Sequence, residues 1–130
     1  MTVELTLLAL STAFAVVHIV LASHSASFAR GYRWTASARD QPLPELTGIA
    51  GRLARASANY QETFPLFAAG ILMVTLTNHQ SELTMWAAIT YLVSRVLYLI
   101  AYASGVYLLR SLIWNFATAA ILVLLAACFI

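Results

Sequence analysis

Four long apolar stretches dominate the chain, running from about Leu5 to Phe28, Leu53 to Thr77, Leu83 to Ala103 and Val106 to Ile130. Each comes close to the roughly 20 residues of helix that cross a hydrocarbon core about 30 Å thick. Four crossings consume about 80 residues, leaving the remainder of a 130-residue chain for ends and loops. Only 9% of residues are charged and 62% are hydrophobic, whereas a water-facing domain carries about a quarter charged residues. A soluble globule is therefore excluded. The pattern predicts an all-α integral membrane protein, a single domain over residues 1–130 built as a four-helix transmembrane bundle.

The connections suggest how the helices run. Asn78-His-Gln-Ser-Glu82 is a short polar turn, while Arg30 to Gly51, with Pro42, Pro44 and Gly48, reads as a longer extended loop. Short connections favour antiparallel neighbours, giving an up-down-up-down topology. Pro65 lies inside the second stretch, where neighbouring helices can satisfy the carbonyl it frees, so a kink is expected and not a break. The first stretch is too long for the apolar core of a signal peptide, about 7 to 15 residues, and no basic residue precedes it. It is read as the first helix even though Ser25-Ala26-Ser27 offers a small-residue patch.

Basic residues near helix ends are retained in the cytoplasm. Arg30, Arg33, Arg39, Arg52 and Arg55 lie in or beside the first loop and Arg110 near the third, whereas the second loop carries no arginine or lysine. This places the first and third loops in the cytoplasm, with the termini outside, as in a bacterial inner membrane. The net charge of +2 is too small and scattered for a nucleic-acid surface. Cys128 has no partner for an intrachain disulfide. His18, His24 and His79 are dispersed without a carboxylate or cysteine cluster, so no metal site is expected.

Two ionisable residues sit deep within the apolar stretches, Glu62 and Arg95. Such a residue costs at least about 2.5 to 3.5 kcal/mol on insertion scales and generally faces the bundle interior. Arg52, Arg55, Asn59 and Glu62 recur three, four and three residues apart, which lays them along one helix face. Tyr91, Arg95, Tyr98 and Tyr102 form a matching stripe on the next helix. Antiparallel helices joined near Gln80 bring Glu62 to Arg95, Asn59 to Tyr98 and Arg55 to Tyr102 with an offset of about 4.5 Å. The expectation is a Glu62–Arg95 ion pair at the floor of a polar cleft that opens to the cytoplasm. The surplus arginines, Arg52, Arg55 and Arg110, make that cleft cationic and suited to a small polyanion, because a guanidinium offers a planar fork of donors to carboxylates. Trp34, Trp86 and Trp114 fall where an aromatic belt is expected.

The stretch Arg52-Leu-Ala-Arg55-Ala-Ser-Ala-Asn59-Tyr-Gln-Glu62-Thr-Phe-Pro65-Leu-Phe67 resembles the signature of the membrane-associated proteins in eicosanoid and glutathione metabolism, the MAPEG family. Arg95-Val-Leu-Tyr98-Leu-Ile-Ala-Tyr102, followed by Arg110-Ser111, is similar to that family's third helix and the start of its fourth. The resemblance is to a small bacterial-type member akin to microsomal glutathione transferase or leukotriene C4 synthase. It implies a homotrimer, with glutathione as co-substrate in a cytoplasm-facing cleft between subunits and a lipophilic electrophile or lipid entering from the bilayer. By motif position, Arg55, Asn59, Glu62, Tyr98 and Tyr102 would contact glutathione, Arg52 would join them, and Arg95 would support Glu62. Arg110 would stabilise the thiolate, with Ser111 beside it as a donor to sulfur, and either Arg30 or Arg33 would be the basic residue ending helix one. Tyr98 stands where some members have histidine, and Ala58 where prostaglandin E synthase has a second arginine. Both departures bear on eicosanoid isomerisation more than on glutathione binding. The implied activity is glutathione transfer or peroxide reduction; the alternative is a non-catalytic lipid-binding or scaffold protein of the same fold.

Overall fold

A computed structural model describes residues 1–130. It is all-helical: α1 (Val3–Arg30), α2 (Tyr32–Ala36), α3 (Gly48–Leu76), α4 (Glu82–Ser104) and α5 (Tyr107–Ala127). Three of the four long helices, α1, α4 and α5, are long and apolar enough to cross a membrane. The remaining one, α3, is about 43 Å long at 1.5 Å per residue. It falls short in hydropathy because its first half carries Arg52, Arg55, Asn59, Gln61 and Glu62.

Local chemistry sets the helix ends. The Thr2 hydroxyl accepts from the Leu5 amide to start α1, and Gly31, at φ 94°, stops it. Ser81 and Thr84 form a reciprocal capping box at the start of α4. Gly105 ends α4 in the left-handed conformation, φ 82°, which permits the abrupt turn into α5. α3 runs unbroken through Pro65. The segment between α1 and α3, expected to be extended throughout, instead contains α2. That short helix forms because Trp34 finds local partners: its ring lies beneath the Arg30 and Arg39 guanidinium groups and its indole N–H donates to the Gln41 carbonyl at 2.9 Å.

Side-chain contacts show successive long helices running in opposite directions. Leu5, Leu7 and Leu8 at the start of α1 pack against the core that holds Phe67 and Val74 from the second half of α3, while Tyr60 reaches Ser11 and stacks on His18. Asn59 meets Arg95, and Thr63 meets Tyr91. The apolar core gathers at one end, where α3, α4 and α5 contribute Phe67, Ile71, Val74, Ala88, Tyr91 and Leu124 among others. Alanines and Gly70 let these helices approach closely; a Cβ at Gly70 would lie 3.2 Å from that of Leu124. Close packing at this end leaves the polar half of α3 and α4 to surround a cleft at the other.

Candidate functional site

On α3 the buried row runs Ala56, Tyr60, Thr63, Phe67, Ile71 and Val74, at helical spacings of three and four. Arg55, Asn59 and Glu62 flank this row on one side, so the polar stripe edges the core instead of occupying its centre. The stripe on α4 does turn inward: Tyr91 and Arg95 are fully buried and Tyr98 is 5% exposed. Where the flank of α3 meets α4 and the first turns of α5, a cleft of about 440 Å³ opens, lined by Arg55, Ala58, Asn59, Glu62, Tyr98, Tyr102, Arg110, Ser111, Trp114 and Asn115.

Tyr102 organises the cationic side. The Arg55 Nε donates to the Tyr102 hydroxyl at 3.2 Å, and the Arg110 guanidinium lies 4.6 Å from the centre of the same ring. One aromatic face and one phenol thus hold two like charges beside a common opening. Neither arginine is hydrogen-bonded to a carboxylate. Two preorganised guanidinium groups that make no ion pair, against the single carboxylate of Glu62, make the cleft attractive to an anion.

The expected Glu62–Arg95 ion pair is not made. Arg95 Nη2 donates instead to Asn59 Oδ1 at 2.9 Å, and its guanidinium lies between the rings of Tyr98, at 4.5 Å, and Tyr60, at 5.4 Å. The deeper half of the α3–α4 contact is in a register about one turn away from that expected, and Thr63, not Glu62, takes the inward position, sharing a 3.1 Å hydrogen bond with Tyr91. Glu62 is exposed along the cleft and free of Arg95. The substitution of partners has a chemical consequence. A guanidinium can only donate, so the oxygen of Asn59 is committed to Arg95, and its amide nitrogen, a donor, makes no hydrogen bond within the chain.

Of the residues singled out from sequence, Arg55, Asn59, Glu62, Tyr98, Tyr102, Arg110 and Ser111 therefore converge on one cleft. Arg95 stands behind it. Arg52 does not line it; its guanidinium sits near the α4–α5 turn, 4.0 Å from the position a Cβ would take on Gly105. Arg30 is also elsewhere, donating to the Pro44 carbonyl at 3.3 Å and covering Trp34. The Ser111 hydroxyl donates to the Tyr107 carbonyl at 3.3 Å, so it must rotate to serve as a donor to a ligand.

Trp114 and Asn115 were not anticipated at the site. Trp114 lies four residues beyond Arg110 and Asn115 four beyond Ser111, so continuing the helical spacing from that pair would have found them. Tyr60 was overlooked as well, although it is the hub behind the cleft. It is fully buried, its hydroxyl donates to the Ser11 carbonyl at 2.6 Å, and its ring stacks on His18 with centroids 4.6 Å apart.

A search of the curated proteins finds none that matches. The model of the MAPEG family matches residues 7–130. With nearly the whole sequence covered and three helices suited to crossing a bilayer, the chain is an integral membrane protein that belongs to the MAPEG family.

Proposed function

We propose that the chain is a glutathione-dependent transferase or peroxidase acting on lipophilic electrophiles, with all four long helices crossing the membrane. Members of this family use glutathione. The observation that carries the reading is the pairing of Arg55 and Arg110 around Tyr102 in a cleft that also offers the Asn59 amide and the free carboxylate of Glu62. That donor set fits a peptide bearing two carboxylates, amide carbonyls and an ammonium group. Arg55 would hold a carboxylate, the Asn59 Nδ2 a carbonyl or carboxylate oxygen, and Glu62 the ammonium, while Tyr98 and Tyr102 wall the peptide in.

Bound glutathione supplies a thiol whose sulfur, once ionised, attacks an electrophilic carbon, forming a C–S bond as the leaving group departs with its electron pair. Arg110 favours the ionised form: a free thiol has a pKa near 8.5, and a fixed guanidinium in a low-dielectric cleft lowers it. The released proton passes to water at the open mouth. Trp114, one turn along α5, presents an apolar wall beside Arg110 for the electrophile.

Exposed Glu62 and half-exposed Arg110 on the flank of an otherwise apolar protein also favour a second copy as the cover, since groups of this kind are costly against acyl chains. We therefore include a homotrimer, with each cleft closed by its neighbour, in the proposal. The decisive experiment measures glutathione-dependent turnover of an aryl halide by purified protein in nanodiscs, together with the ultraviolet absorbance of the thiolate on adding glutathione. Turnover with a thiolate band supports the enzyme. Lipid binding with neither signal would favour the non-catalytic reading.

A further inference from the structure

A second cleft, of about 670 Å³, lies around α2 and is built from different residues: Arg30, Arg33, Trp34, Ser37, Arg39 and Asp40 among its lining. Three guanidinium groups against one carboxylate leave it cationic. Two of them are fixed by the same indole, Arg30 at 5.1 Å and Arg39 at 5.8 Å from the Trp34 ring centre. Their hydrogen bonds go to backbone carbonyls, Arg30 to Pro44 and Arg39 to Thr35, and not to a carboxylate. The Arg30 Nε is buried with no partner. Arg39 adopts φ 61°, a left-handed conformation uncommon outside glycine, and is held there by the Ser37 hydroxyl, which accepts from its amide at 3.1 Å. The left-handed turn at Arg39 thus accompanies the placing of a second guanidinium beside the indole.

The position of this cleft identifies what it meets. α1 is apolar enough to cross a membrane and ends at Arg30, so α2 lies where the chain leaves the hydrocarbon, at the depth tryptophan favours. Phe28, half a turn before Arg30, is 86% exposed. We infer that the α2 cleft is a binding site for the phosphate of an anionic phospholipid headgroup. The guanidinium groups of Arg30, Arg33 and Arg39 surround the phosphate, Trp34 lies at the glycerol level, and the acyl chains pass Phe28. Asp40, the one carboxylate in the lining, weakens the site's affinity for an anion. The site shares no lining residue with the cleft around Tyr102, so it stands or falls independently of the proposed activity.

The test is native mass spectrometry of the full chain released from detergent containing equal phosphatidylglycerol and phosphatidylcholine of matched acyl chains. The unmodified protein retains phosphatidylglycerol in preference. The double variant Arg33→Ala/Arg39→Ala lowers that preference by about tenfold, since each basic residue near an anionic surface contributes substantially to the attraction. Asp40→Asn, which removes a surface charge and no packing, raises it. Inorganic phosphate at millimolar concentration leaves the retained lipid in place. Equal retention of both lipids, or a preference unmoved by either variant, overturns the assignment. Displacement of phosphatidylglycerol by inorganic phosphate overturns it in favour of a free-phosphate site.

Discussion

Arg95 is buried without an acidic partner, and the groups that compensate it are an amide oxygen and two tyrosine faces. Removing the amide leaves the cation with aromatic faces alone, so Asn59→Leu should lower stability by about 2 kcal/mol, read as thermal unfolding in detergent. Glu62→Gln should leave the unfolding temperature unchanged, because Glu62 makes no ion pair with Arg95, yet it should reduce the protection that added glutathione gives. A drop in unfolding temperature for Glu62→Gln would restore the ion pair inferred from sequence. Arg110→Ala should lower turnover by about 10² to 10³ with a smaller change in KM, the scale expected on deleting one preorganised donor. Loss of the thiolate absorbance should accompany it. At this scale much was legible: helical spacing alone brings Arg55 to Tyr102, a pairing the structure contains. The partner of Arg95 was not legible, because a shift of one turn in an antiparallel pair exchanges Glu62 for Asn59 without altering either pattern.

Helix α3 shows how packing and polarity divide one element lengthwise. Its buried row is continuous from Ala56 to Val74, and Gly70 beside it marks a close approach to Leu124 of α5. Gly70→Val should therefore destabilise the fold by about 1 to 3 kcal/mol, since Leu124 would have to move; thermal unfolding in detergent checks it. In the first turn of the same helix, a Cβ at Gly51 would come within 2.5 Å of the Leu46 carbonyl oxygen and 3.2 Å of Arg55 Nη1. Any side chain there must displace the loop or the arginine that grips Tyr102. The helices themselves could be read from their apolar runs, with bounds differing by up to five residues at the start of α3. Short α2 could not. Its five residues carry no useful periodicity, and it is held by contacts of Trp34 to Arg39 and Gln41 that only the folded chain brings together.

For the whole molecule, six of the seven arginines lie toward the end that carries α2, the Tyr102 cleft and the α4–α5 turn, with Arg95 buried behind it. If this end faces the cytoplasm, Ser37→Cys in a Cys128→Ser background should react with an impermeant maleimide in inside-out vesicles and not in intact cells. Labelling from outside would invert the proposed orientation. The opposite end is tied by an unusual bond. Glu4, 4% exposed, accepts from the Thr84 hydroxyl at 2.8 Å and so joins the first turn of α1 to the capping box of α4. Met1, Phe129 and Ile130 are all exposed, but affinity tags and reporter fusions ahead of Met1 begin only three residues from this buried bond, whereas no side-chain hydrogen bond ties Phe129 or Ile130 to another helix. Recombinant production should therefore give better-behaved protein with the purification handle appended after Ile130.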